Sequence, residues 1–430
     1  MLKISLIGVG SVCFGASTIA DLLYYKEKLH GATLALVDID PEKQELMMFL
    51  ADKMNREAGE PFHIIGSCDR REVIAGSKFV VTSPAILREE LWKKDWDIIH
   101  GAGIRQTYGE NGGPGSLSHT LRNIPMLADI CRDVEELAPD AWMINFTNPE
   151  ARICTYFDRY TSLKFVGLCH QIYEGYRCVS KLLSIPQEEL DIKAAGINHF
   201  TWMYDIRRKG TAEDLYPAFI RAVDAMPPSF EPISRQLYHT YGMFPTAGDH
   251  HLAEFLSFAW EKQGLAGRDF ASTVDDKVQA LAWLRGVKEG TRAIEEKVHG
   301  KSGEAIADII AAMETGNNSY QVSVDIRNNG CIPNLPHDAV VEVPGIVSSD
   351  GVHGLAMPPL PEGIACMIRQ QMTVQQLSVE AAVTGSRKTA LQALLLDPVV
   401  DSFDTAQTVL EQLLEAHREY ISPKFFNGKS

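Results

Sequence analysis

Over the first two hundred residues, short apolar runs alternate with longer helix-forming stretches. "KISLIGVGSVCFGASTIADLLYY" passes from a β-branched, apolar run into glycines and then into a helical pattern. "GATLALVDIDPEK", "SKFVVTSPA", "DAWMINFTNPEARI" and "LKFVGLCH" each carry a further apolar run that ends in polar residues. Strands alternating with helices predict an open, mostly parallel sheet with helices on both faces. In such sheets ligands bind outside the carboxyl ends of the strands. Asn148, Cys169 and His170 fall at such ends.

From about Gly196 the pattern changes. "GINHFTWMYDIRRKG" reads as a strand and turn, and longer helical segments follow, among them "LAEFLSFAWEKQG" and "DDKVQALAWLRGVKEGTRAIEEKVHG". The expected fold is α/β: a Rossmann-like, doubly wound, mostly parallel sheet over residues 1–195. A second α+β domain over 196–430, for substrate binding and oligomerisation, is expected to close the site.

The first glycine turn adds chemistry. Gly8, Gly10 and Gly15 are spaced more loosely than the usual dinucleotide fingerprint, so the spacing alone is weak. Asp38 strengthens it, because an acid at the end of the second strand can accept from an adenosine ribose hydroxyl. Glycines let the chain turn tightly under a pyrophosphate seated on the helix N-terminus. Ser83 lies in the loop after the third strand, beside the same crevice. NAD is the expected cofactor, and Asp38 favours it over NADP, since a carboxylate repels a 2′-phosphate.

The net charge of −15 argues against nucleic acid or an anionic membrane as partner, since both require a basic face. Eight cysteines without CxxC or disulfide-like spacing read as thiols of a reducing compartment. No apolar run approaches bilayer length, and the N-terminal run is short and followed at once by glycines. These features point to the cytoplasm.

Several motifs in order, "GVGSVCFG", "RQTYGENGGPGSLSHTLRNIP", "MINFTNPE", "VGLCH", "GINHF" and "NNGCIPNLPHDAVVEVP", resemble glycoside hydrolase family 4, the NAD- and manganese-dependent glycosidases. The resemblance covers nearly the whole chain. It implies a divalent metal, usually Mn2+, on Cys169 and His199. Two protein ligands leave positions open for sugar hydroxyls and water. It also implies a reaction: NAD⁺ takes hydride from C3, the metal polarises the ketone, a base removes the C2 proton and the glycosidic oxygen leaves. Water then adds at C1 and the hydride returns. The two-carboxylate scheme of most glycosidases does not apply.

The resemblance suggests further roles. Asn148, His170, Arg122 and His251 are candidates for substrate contacts, with Arg122 also a partner for Glu110 or a structural ion pair. Glu110 is a candidate acid. Tyr241 is the first candidate for the C2 base, with Asp249 the second; Asp249 is equally well read as the N-cap of "HHLAEF". Cys-His in "LCHQ" resembles members acting on unphosphorylated α-hexosides, with galacturonide or galactoside favoured. Gln171 has the shape of the Glu found in galacturonidase-like members but cannot exchange a proton. Relatives assemble as dimers and tetramers, so a homodimer or homotetramer is expected. The alternative is a metal-free dehydrogenase of the lactate or malate type, which needs a His-Asp pair and a carboxylate-binding Arg; the paired "LCH" and "INHF" motifs argue against it.

Overall fold

A computed structural model describes residues 1–265 and 269–427. Twelve strands among them form one sheet: β1 Lys3–Ile7, β2 Thr33–Val37, β3 His63–Ser67, β4 Phe79–Thr82, β5 Trp142–Asn145, β6 Lys164–Gly167, β7 Leu190–Ile197, β8 Phe200–Arg208, β9 Phe244–Pro245, β10 Ser319–Arg327, β11 Val340–Ser348 and β12 Gly351–Gly354. β3-β2-β1-β4-β5-β6 run parallel, the order of a dinucleotide-binding half.

Alternate side chains of these strands enter different cores, as a period of two requires. Ile4, Leu6, Leu34, Leu36, Phe79 and Val81 pack with helices Val12–Tyr24 and Pro41–Glu57. Ile7, Ala35, Val37, Val80 and Met143 pack with helices Gly113–Leu137 and Glu150–Tyr160. β1, β2, β4 and β5 are therefore buried on both faces, which is why their sequences are mostly apolar rather than alternating.

Beyond β6 the sheet continues as β10-β11-β7-β8-β9, every contact antiparallel, with β12 on β11. One row crosses four strands: Gly167 pairs Asp325, Asp325 pairs Glu342, and Glu342 pairs Gly196. The row runs along the carboxyl end of β6 and the carboxyl end of β7. Residues leaving those two strands are thus delivered to the same level of the sheet.

The boundary expected at 195/196 falls inside β7, and the sheet is continuous across it. No helix among the described residues is long and apolar enough to cross a membrane.

Candidate active site

The first wall of the crevice is the glycine turn after β1. Gly8 has φ +85°, a left-handed conformation that favours glycine, and a Cβ there would lie 2.7 Å from the Pro84 backbone nitrogen. A Cβ on Gly10 would meet the Asp38 carboxylate at 2.5 Å, and one on Gly15 would meet the Val9 carbonyl oxygen at 2.2 Å. The turn feeds helix Val12–Tyr24, whose N-cap Ser11 makes no side-chain cap. That N-terminus leaves N–H donors open to an anion. The Gly10 N–H donates to Asp38 Oδ2 at 2.8 Å and the Asp40 N–H to Oδ1 at 3.0 Å, so each oxygen keeps a lone pair for a hydroxyl. The Ser83 N–H donates to the Ile7 carbonyl, and its hydroxyl stands 3.4 Å from the Gly8 carbonyl. The four elements expected to hold a dinucleotide therefore share one edge, and the cradle is one that only glycine fits.

Cys169 and His199 come together further along the sheet. Cys169 follows β6, and His199 occupies a two-residue turn joining β7 to β8. His199 sits at φ +63°, which a side chain with a Cβ adopts at a cost of about 1–2 kcal/mol. Strain of this kind persists where surrounding structure fixes the residue, most often at functional sites. Cys169 Sγ and His199 Nε2 lie 3.5 Å apart, a separation suited to two ligands of one tetrahedral or octahedral cation. Burial pushes the Cys169 thiol well above the ordinary thiol range, with Glu342 adding to the effect. A cation at the pair would reverse that, since metal coordination deprotonates the thiol. The donor set fits the implied metal.

Behind His199 lies Glu254, fully buried in the turn Ala253–Phe255. Its Oε2 accepts backbone N–H groups from Glu110 at 2.7 Å, Asn111 at 2.6 Å and Gly112 at 3.0 Å. Gly112 is the N-cap of the 25-residue helix Gly113–Leu137 and has no side-chain cap of its own. Glu254 Oε1 stands 3.5 Å from His251 Nδ1 and 3.8 Å from His199 Nδ1. Burial works against its charge, yet His199, His251 and the three N–H donors hold it well below the usual carboxylate range. Asn111 Nδ2 approaches His199 Nδ1 at 3.3 Å. The His251 ring packs 4.2 Å from that of His199, and Tyr108 stands edge-on to His251 at 5.2 Å.

On the other side of the pair are three more buried acids. Asn198 donates to Glu342 Oε2 at 3.0 Å, Ser323 to Glu342 Oε1 at 2.6 Å, and the Cys154 thiol to Glu150 Oε1 at 2.7 Å. Asp325 faces Glu342 across the ladder. Burial raises all three: Glu150 to about 8, Glu342 to about 7, and Asp325 well above the carboxylate range.

The remaining candidates have diverse settings. His170 is exposed, 3.2 Å from Glu304, which raises its affinity for a proton. Asn148 is half-buried; Asn123 donates to its carbonyl at 2.6 Å, and among the described residues no hydrogen bond holds its side-chain amide. The Gln171 amide is tied to Thr246 at 3.2 Å. Glu110 pairs with Arg88, whose Nε donates at 2.8 Å, and not with Arg122. Arg122 is fully buried against Asp95 at 2.8 Å and Ser118 at 2.6 Å, the structural role foreseen as its alternative. Asp249 is not the N-cap of its own helix; Gly248 is. Its carboxylate instead accepts the N–H groups of Ile233 at 2.7 Å and Ser234 at 2.8 Å, capping helix Pro232–Tyr241. Tyr241 ends that helix with its ring over Gly363, where a Cβ would lie 2.7 Å away. Among the described residues no hydrogen bond or ring contact joins Tyr241 to Cys169 or His199.

Sequence reasoning singled out neither Glu254 nor Asn111, Asn198 or Tyr108. Glu254 had a usable signal, an acid three residues after His251, which places both on one face of a helical turn. Asn111 and Tyr108 had none beyond membership of "YGENGG".

An open α/β sheet with its polar residues gathered outside the carboxyl ends of the strands defines an enzyme of the dinucleotide-fold class. Residues 3–185 match the model of family 4 glycosyl hydrolases, and residues 194–400 match the model of that family's C-terminal domain. The chain belongs to glycosyl hydrolase family 4. It is 30% identical to an alpha-glucosidase of Erwinia rhapontici over 98% of this chain and 99% of the relative. It is 28% identical to an alpha-galactosidase of Bacillus subtilis, over 98% and 99%. Among solved structures, a 6-phospho-alpha-glucosidase from gut microorganisms, in complex with NAD and Mn2+, superposes with a TM-score of 0.85 at 19% identity, covering 98% of this chain and 99% of that one.

Proposed function

We propose that the protein hydrolyses unphosphorylated α-hexosides by transient oxidation of the sugar, using NAD and a divalent metal. The observation that carries this reading is the Cys169–His199 pair, 3.5 Å apart at the end of the same sheet whose first strand leads into the glycine cradle. When bound, the dinucleotide supplies a hydride acceptor for C3 and returns the hydride, and the cation polarises the sugar oxygens. The protein's own groups do the rest. Gly8, Gly10 and Gly15 admit the pyrophosphate to the open helix N-terminus, Asp38 takes the ribose hydroxyl, and Ser83 lines the loop opposite. Cys169 and His199 hold the cation with positions free for sugar oxygens. The Asn148 amide is available to a sugar hydroxyl, and His170 is oriented by Glu304.

The surroundings of the pair favour an uncharged sugar. Glu174, Glu254 and Glu304 stand close to Cys169–His199 or the adjoining His170, while Arg88 and His170 are already paired with acids. A 6-phosphate would bring a double negative charge among carboxylates. The uncharged galactoside is therefore ahead of galacturonide. As part of this reading the protein is a cytoplasmic homodimer or homotetramer; the seven described cysteines are free thiols, as a reducing compartment requires.

Loss and regain of the C2 proton distinguishes elimination from direct displacement. With NAD⁺, Mn2+ and aryl α-glycosides in D2O, the released sugar should carry deuterium at C2, with NAD⁺ required and not consumed. Product without C2 deuterium counts against the route, and NADH released in step with product would mark a dehydrogenase. Asp249 is committed to its helix cap, so exchange should be compared in Tyr241→Phe and Tyr108→Phe; the slower variant identifies the tyrosine that serves the proton transfer.

A further inference from the structure

We propose that Glu254 is a positioning residue that fixes the tautomer of His199, setting a proton on Nδ1 so that the Nε2 lone pair faces Cys169. The inference rests on the reading of Cys169 and His199 as ligands of one cation, and concerns how the ligand is made ready.

The geometry leaves Glu254 little choice of charge or direction. Three backbone N–H groups converge on Oε2 at 2.6–3.0 Å, at the start of a long helix. A carboxylate at a helix N-terminus is stabilised by the aligned peptide dipoles as well as by these bonds. Anchored there, the group turns its second oxygen to two imidazoles. Among the described residues Oε1 is buried without a donor in hydrogen-bonding distance, and the His251 Nδ1 is likewise buried and unpartnered. The nearest nitrogens are Nδ1 of His251 and Nδ1 of His199, at 3.5 and 3.8 Å. These distances are longer than a hydrogen bond, so a contraction of less than 1 Å is needed to close either contact. A buried anionic oxygen facing two nitrogens favures N–H over a lone pair on both, because a lone pair there would repel it in a medium of low dielectric.

Asn111 is the competing influence. As placed, its Nδ2 lies 3.3 Å from His199 Nδ1 and would donate, selecting the opposite tautomer. Amide oxygen and nitrogen exchange places by a half-turn of the group, so Asn111 follows the imidazole as readily as it directs it. A charge beats a dipole at similar range, and Glu254 is charged. Its backbone bonds also tie His199 to the loop Glu110–Gly112, so the anion that orients the imidazole also holds the "GENGG" loop against it. A metal-ligating His whose second nitrogen donates to a carboxylate is a more basic ligand, and such partners typically govern 10–100-fold in metal affinity.

Glu254→Gln separates orientation from packing. Gln keeps the size and one oxygen for the three N–H groups, but turns an NH2 group toward the histidines. It would donate to Nδ1, moving the proton to Nε2 and blocking the ligand lone pair. The readout is the ¹⁵N spectrum of histidine side chains in the metal-free, folded protein above the imidazole pKa, with His199 assigned from His199→Ala. Mn2+ binding is measured alongside. Wild type should show His199 protonated on Nδ1. Glu254→Gln should show it on Nε2, with the Mn2+ dissociation constant raised by roughly 10–100-fold. A wild-type His199 protonated on Nε2 overturns the proposal, and this result does not depend on the folding of Glu254→Gln. So does a Glu254→Gln protein with unchanged tautomer and Mn2+ affinity within twofold of wild type. If His199 carries its proton on Nδ1 and loses it in the variant, yet wild type binds no Mn2+, the role of Glu254 as orienting group is supported and the metal reading fails.

Discussion

Two groups of buried carboxylates flank the Cys169–His199 pair, and they have opposite charge states. Glu254 faces His199 and His251, which hold it ionised against burial, and it also accepts three backbone N–H groups at a helix start. Glu150, Asp325 and Glu342 meet few donors and one another, and burial drives them toward the protonated form. All four are essentially inaccessible to water. Burial alone therefore does not decide charge; the supply of donors does. Asp95 shows a third solution. It is fully buried, paired with Arg122 and with His417, and held well below the usual carboxylate range despite burial.

The largest effect should come from removing what both groups face. Cys169→Ser and His199→Ala should each lower hydrolysis of aryl α-glycosides by more than about 100-fold and abolish Mn2+ binding. Circular dichroism and NAD⁺ binding should be unchanged, because the sheet is held by its ladders and cores. Retained activity after exhaustive chelation would remove the pair from the site and leave the acids without a common purpose.

Arg122→Ala tests the ion-paired solution. It leaves the buried Asp95 with Ser118 and His417 as its remaining partners, and breaking a buried pair in this way costs about 3–5 kcal/mol. Denaturant unfolding should show that loss as a lower midpoint with an unchanged slope. A change under about 1 kcal/mol would mean that His417 and Ser118 suffice for Asp95.

Glu150→Gln tests the protonated solution and should have the smallest effect at low pH. A neutral amide copies the protonated acid, and its oxygen can still accept from Cys154. Glu150 is raised in the folded protein to about 8. Its stabilising contribution is therefore complete below the unfolded value near 4.3, and is lost as pH rises through about 8. Wild-type stability should decline over that window, and the variant should decline less. Equal slopes in thermal unfolding of the metal-free proteins would place the charge of Glu150 elsewhere.

Much of the fold was legible because its signals are local. A strand buried on both faces must be apolar throughout, and a chain turning under a phosphate must be glycine; both are written in a few adjacent residues. The same locality made Asp38 readable; Cys169 and His199 also sit at the ends of apolar runs, but it was the family resemblance that singled them out as metal ligands. The site's other half was not legible. Glu254 binds backbone 144 residues away at Glu110, and nothing in either segment names the other.

The sequence by itself determined the parallel half of the sheet and the glycine cradle, because covalent neighbours impose those conformations. Only the tertiary structure decided which acid meets which donor. It sent Asp249 to the start of helix Pro232–Tyr241, Arg122 to Asp95, Glu110 to Arg88 and Tyr241 to Gly363. It also aligned Gly167, Asp325, Glu342 and Gly196 in one row, which brings Cys169 to His199. The physical reason is that charge state and coordination depend on donors and distances in space. A sequence lists the groups, and packing sets which of them come within 3 or 4 Å of one another.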